Sequence, residues 1–205
     1  MNKINVKGIL KNIQPSHTIN DIEYDKADLV VTRKDGKEDI LNIRFKKFSH
    51  PYKDNQEVSI IGNVRSYSQH LDNGKNKVEL YIFTYFDPAE LNEDDTEIIN
   101  KFEIDGRICK MEELRKTKDG KSAIHFILAN NLIIEETNQK LNSYLPCIAW
   151  GKLAKEIAQL KVNDRIEVVG ELHSREYKKI IDQESGEFEF RIAHECVINS
   201  FNQLL

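Results

Sequence analysis

The chain states one pattern twice, and that repetition constrains its fold more than any other feature of the sequence. Ile4-Asn5-Val6-Lys7-Gly8-Ile9 near the start is matched by Phe102-Glu103-Ile104-Asp105-Gly106-Arg107. In both, apolar and polar residues alternate and a glycine falls at the same step. Alternation with period two marks a strand with one buried face, and a glycine inside it marks a bulge or bend. A second match runs from Tyr52 to Ser66 and from Leu160 to Ser174, where a polar turn enters an alternating strand around Gly62 and Gly170. The glycines are 98 residues apart in the first match and 108 in the second. Loops absorb such drift at small cost, so the pattern predicts a duplicated domain.

Between the copies lies DPAELNEDDTE, residues 87–97, with six acids and no lysine or arginine. The expected organisation is a first domain over 1–86, an acidic connector over 87–97 and a second domain over 98–205. Five strands are expected per copy. In the second they run over Phe102 to Lys110, Ser122 to Asn130, Ser143 to Trp150, Arg165 to Tyr177 and Glu187 to Asn199. Lys118-Asp119-Gly120-Lys121 and Glu184-Ser185-Gly186-Glu187 read as hairpin tips. Leu153, Ala154, Ile157, Ala158 and Leu160 have helical spacing, which predicts a short amphipathic helix from Lys152 to Leu160. Three strands, a helix and two strands is the order of the OB barrel. The fold class is therefore all-β, two tandem five-stranded OB barrels, the second with a helix between its third and fourth strands. The matching stretch of the first copy, Lys47 to Asp54, contains Pro51 and is too short for that helix.

Composition bears mainly on what the chain does not do. The net charge of −4 is no argument against an anionic partner, since the six acids of the connector alone outweigh it. What matters is where cations face. The N-terminus has no apolar signal region, and no stretch approaches the roughly 18 apolar residues of a membrane span, so a cytoplasmic protein without a membrane partner is expected. Cys109, Cys147 and Cys196 are widely spaced and read as buried thiols of a reducing compartment. The six histidines show no metal-ligand spacing, with His125 and His194 expected as hydrogen-bonded barrel positions. No phosphate-binding, nucleophile-elbow, zinc-protease or Cys-x-x-Cys signature is present. Neither an enzyme nor a cofactor is expected.

The run Tyr144-Leu-Pro-Cys-Ile-Ala-Trp150-Gly-Lys152-Leu-Ala154 resembles the signature of the bacterial single-stranded DNA-binding protein (SSB) family, in which an aromatic opens strand three and an aromatic-Gly-Lys-Leu-Ala leads into a helix. Asn100 to Arg107 resembles that family's first strand, and Val162 to Tyr177 its stretch of glycine, strand, basic residue and aromatic. The resemblance covers Asn100 to Phe201. It implies single-stranded DNA binding in replication, recombination or repair, with Tyr144, Trp150 and Tyr177 where the family stacks bases. Period two independently puts Tyr144, Ile148 and Trp150 on one strand face and Leu145, Cys147 and Ala149 on the other. Arg107, Lys121, Lys152, Arg175, Lys178 and Lys179 are the cations expected beside the phosphates. By the internal repeat, Phe45 is expected in the place of Trp150, with Arg44, Lys46 and Lys47 around it and Arg65 and Tyr67 nearby. The aromatic stripe from Tyr81 to Phe86 is expected to serve strand and core.

The resemblance also implies homodimers that present four barrels. Three departures stand out. The sequence ends Phe201-Asn-Gln-Leu-Leu205 without the family's acidic tip, so recruitment of replication or repair partners is not expected. Asn131-Leu-Ile-Ile134 stands where the family has an aromatic after strand two, and tyrosine replaces tryptophan at two stacking positions. An RNA-binding or primosome-type OB protein, and an OB module for protein–protein interaction, are the alternative readings.

Overall fold

The computed structural model describes residues 1–47, 52–70, 76–84, 100–134, 139–181, 186 and 188–204. The expected connector over 87–97, Pro51 and the tip at Glu184-Ser185 lie outside them. The first copy contributes β1 (Asn2–Ile19), β2 (Ile22–Thr32), β3 (Glu38–Lys46), β4 (Glu57–His70) and β5 (Asn76–Thr84). The second contributes β6 (Asn100–Met111), β7 (Arg115–Lys116), β8 (Ser122–Ile134), β9 (Gln139–Trp150), α1 (Gly151–Ile157), β10 (Arg165–Ile180) and β11 (Phe188–Leu204).

Each copy closes on itself. In the first, β1 pairs with β2 and with β4, and the order β2-β3-β5-β4-β1 completes the ring; in the second, β6 pairs with β8 and β10, and β10-β11-β9-β8 completes it. All pairs are antiparallel except β3 with β5 and β9 with β11. This is the OB closure expected from the sequence. The helix occurs where spacing placed it and packs the buried Ala154 and Ile157 against β8 and β9.

Strand register fixes which residues of the two copies correspond. Ile43 pairs with Ile82 and Ile82 with Val64 in the first barrel; Cys147 pairs with Cys196 and Cys196 with Leu172 in the second. Gly62 and Gly170 fall two residues before Val64 and Leu172, so all the register marks agree. A Cβ on Gly62 would lie 2.3 Å from the Phe83 carbonyl oxygen, and one on Gly170 2.1 Å from that of Val197. Both glycines are required by the same close approach of neighbouring backbone, which no side chain would fit.

The barrels join through their first strands. β1 and β6 run antiparallel with Asn2 opposite Ile104, Ile4 opposite Phe102 and Val6 opposite Asn100. Because Asn2 corresponds to Asn100 and Val6 to Ile104, the pairing has the self-complementary form of a two-fold interface within one chain. The two-fold recurs outside the strands. The Ile40 amide donates to Ser174 Oγ at 2.8 Å, and the amide of its counterpart Tyr144 donates to Ser66 Oγ at 2.7 Å. Asn2 exchanges hydrogen bonds with the Val64 backbone, as Asn100 does with that of Leu172. These bonds satisfy buried strand edges that would otherwise cost stability.

Candidate nucleic-acid interface

Along β9 the sequence pattern translates directly into burial. Leu145, Cys147 and Ala149 are in the core, while Tyr144 is 48% exposed and Trp150 half-buried on the opposite face, with Ile148 covered between them. The outer face of β9 therefore carries one ring at mid-strand and one at its C-terminal end. They are six steps apart along the strand, about 20 Å at the usual rise. Lys121 Nζ lies 5.5 Å from the Trp150 ring centroid, brought there by the turn in which Gly120, at φ 76°, reverses the chain. An ammonium beside an open indole offers a phosphate partner next to a stacking surface.

A pocket of about 300 Å³ opens beside β9 at Pro146 and Cys147, which fall between those two rings in the strand. β9 and β11 pair only at Cys147–Cys196 and Ile148–Val197, and N-terminal to that point the two strands part. Pro146 and His125 line one side of the pocket, Arg175, Tyr177 and Ala193 the other, and Val78 of the first barrel reaches its edge. Arg175 sits 5.9 Å from the Tyr177 ring centroid and 3.8 Å from Glu195. His125 meets Arg115 at 2.8 Å.

Beyond the pocket, β10 and β11 continue as a two-stranded arm. Tyr177 and Arg191 face each other on one side of it. The other side exposes Ile180, Phe188, Phe190 and Ile192, with Phe190 61% accessible and Lys178 Nζ 3.4 Å from the Phe188 ring centroid. These aromatics were missed in the sequence, although the alternation Phe188-Glu-Phe190-Arg-Ile192 carries the signal. Lys152 is exposed and pairs with Glu156 one helical turn on. Lys179 is half-buried on the arm. Arg107 is not brought to this face: it donates to the Asn163 carbonyl and lines a separate polar hollow with Asp105, Asn130 and Arg165.

The first barrel requires corrections. Phe45 is 2% exposed and packs edge-on against Tyr52 at 4.8 Å, so it belongs to the core. Register gives the reason. Phe45 corresponds to Ala149, and the counterpart of Trp150 is the exposed Lys46; a slip of one residue exchanges the faces of a strand. Arg65 is also buried, at 8%, over the Phe83 ring at 4.1 Å, and burial holds its pKa below that of a free guanidinium. Arg44 does face outward, 4.2 Å from the Tyr81 ring centroid and 6.0 Å from that of Tyr67, which is itself exposed. Lys47 pairs with Glu23. Tyr24, opposite Lys46 on β2, stacks on His17 at 4.8 Å. Sequence reading missed Tyr24; Tyr81, assigned to strand and core, lies in β5 as a half-buried ring under Arg44.

Cys147 and Cys196 are buried as expected, and burial pushes the Cys147 thiol well up; Cys109 is exposed, against expectation. Among the described residues no cluster of three or more His, Cys, Asp or Glu could hold a metal, and no helix is long and apolar enough to cross a membrane.

Residues 99–197 match the Single-strand binding protein family. The chain is similar in structure to the wild-type single-stranded DNA binding protein of Thermus aquaticus, with a TM-score of 0.70 at 17% identity, covering 100% of this chain and 93% of that one. A deletion mutant of the same Thermus protein gives a TM-score of 0.70 at 18% identity, with coverages of 100% and 95%. At such identities the likeness establishes the fold over both barrels. No curated protein matches the sequence.

Proposed function

The second barrel belongs to the Single-strand binding protein family, and from that premise we propose that the chain binds single-stranded DNA with little sequence preference and catalyses no reaction. The observation that carries this reading is the outer face of β9, where Tyr144 is exposed and Trp150 half-buried while alternate residues fill the core. Every base has a π-face, so open rings bind without reading sequence, each contributing about 1–3 kcal/mol. Lys121 beside Trp150 and Arg175 beside Tyr177 supply charge along the same path. Arg44, Lys46, Tyr67 and Tyr81 extend that path onto the first barrel.

Titration with poly-dT at two salt concentrations, followed by Trp150 emission, tests the proposal. Quenching that weakens with salt, at a logarithmic slope of about −0.7 per phosphate neutralised, is expected, and Trp150→Ala removes the signal and most of the second barrel's affinity. Unchanged emission at low salt would refute it.

The arm's apolar face supports a further element of the proposal, the pairing of two chains into a four-barrel particle. Light scattering at twice the chain mass is expected, and a monomer at micromolar concentration would reject the pairing.

A further inference from the structure

The two barrels treat one equivalent place in opposite ways. In the first, β3 and β5 part N-terminal to Ile43–Ile82, and side chains stitch the fork shut. Asn42 Nδ2 donates to the Leu80 carbonyl at 3.0 Å and reaches Glu79 Oε1 at 3.3 Å. Arg44 lays its guanidinium beside the rings of Tyr81 and Tyr67.

Register assigns the counterparts in the second barrel. Asn42 corresponds to Pro146, Glu79 to Ala193, Arg44 to Ile148, Tyr67 to Arg175 and Tyr81 to Glu195. Pro146 has no amide to donate, Ala193 is too short to cross, and Ile148 is covered. Among the described residues no side-chain hydrogen bond joins β9 to β11 N-terminal to Cys147–Cys196, and the pocket of about 300 Å³ stands where the first barrel puts its own planar cation.

We infer that the pocket between β9 and β11 takes a single nucleobase turned out of the bound strand. Its volume is at the lower end of ligand-holding clefts, which suits one ring system and not a stacked run. Its β9 lining, Pro146 and Cys147, falls between Tyr144 and Trp150 in the strand, so a DNA strand that touches both rings would cross it. Tyr177 supplies a ring, and His125, Arg175 and Glu195 supply hydrogen-bonding groups at the edge. Those groups can discriminate among bases, as stacking alone cannot. The second barrel therefore adds a positional preference to an otherwise indifferent interface.

This inference rests on the proposed DNA binding, and the test separates the two. Ala193→Leu fills the pocket with an uncharged side chain, and Pro146→Asn with Ala193→Gln transplants an uncharged form of the first barrel's stitch. Each full-length variant is compared with the wild type by anisotropy of labelled oligo-dT and of an abasic oligomer of equal length, after a thermal melt confirms folding. A variant that fails to fold yields the reading to the other, whose changes are of a different kind.

Weakening of oligo-dT by about tenfold, the lower end for one base contact, is expected, with abasic binding changed less than twofold. Equal weakening of both strands, or of neither, would overturn the inference. A wild type that fails to bind oligo-dT would overturn the DNA-binding reading itself.

Discussion

The two barrels share a ring of five strands, matching glycines and a two-fold junction, yet they place aromatic rings by different means. The second keeps Trp150 on β9 opposite the small Ala123 of β8; the first puts the cation Lys46 there and the ring Tyr24 opposite it on β2. A cross-strand pair, then, is the unit preserved between copies, and either strand can carry its ring. Duplication fixes the backbone, while the outer face is free to be rewritten residue by residue. The junction shows the same freedom. One half of it is charged, with Asp39 fully buried, held by Arg33 and accepting from the Ser174 amide at 2.5 Å; the other half has Ser143 at the equivalent of Asp39.

The sharpest way to break this comparison is at Phe45. Phe45→Ala removes a core ring and costs about 3–5 kcal/mol of stability, read by denaturant unfolding. DNA affinity measured well below the melting temperature stays as in the wild type. Loss of affinity without loss of stability would restore Phe45 to the interface and undo the register argument. Next in size is Asp39→Ala, which leaves the half-buried Arg33 and the Ser174 amide without their acceptor and costs about 1.5–3 kcal/mol, as losing hydrogen bonds to a charged group does. Ser143→Ala at the equivalent place is expected to cost about 1 kcal/mol or less. Equal losses would mean that the charged half of the junction is no different from the neutral one.

Much of this was legible in the sequence because strands write their burial with period two. The duplication, the ring order, the helix at α1 and the core face of β9 all follow from alternation and punctuation. Phe45 was misplaced because the copies were aligned by an aromatic and not by hydrogen-bonded partners. Alternation tells which residues share a face, but not how one strand's numbering maps onto another's when loops differ in length. The pocket was invisible for a related reason. It exists because Pro146 and Ala193 fail to make bonds that Asn42 and Glu79 make, and an absent bond across a fork between β9 and β11 leaves no local mark. Arg107 shows the limit of listing cations, since its strand carries it to the hollow beside Asp105.

A smaller effect sharpens the comparison at the paired positions themselves. Trp150→Ala is expected to weaken poly-dT binding by about 1–3 kcal/mol, with a melt close to that of the wild type because the indole is half open. Lys46→Ala removes one phosphate contact and no ring, so its loss is smaller and appears chiefly as a shallower salt dependence, by about 0.7 in slope. If Lys46→Ala instead matched Trp150→Ala in size and left the slope alone, the first barrel's ring would have to be sought elsewhere than Tyr24.

The smallest effect concerns acid, and it falls at His194 but not at the equivalent place in the first barrel. His194 donates through Nε2 to the Ile40 carbonyl at 2.7 Å, and its counterpart in the first barrel is Leu80, which cannot titrate. Burial holds the His194 pKa below the free imidazole value, although the Ile40 carbonyl and the acids Glu79, Asp39 and Asp28 pull it upward. A histidine kept neutral in the fold takes up its proton more readily once unfolded. Unfolding therefore binds protons as pH falls through about 6.5 and below. Stability is whole above that range and declines below it until the folded pKa is reached. Melting curves from pH 7.5 down to 5 should show this decline in the wild type and a flatter profile in His194→Gln, which retains a donor for Ile40. Parallel profiles for the two proteins would place the acid sensitivity outside the junction.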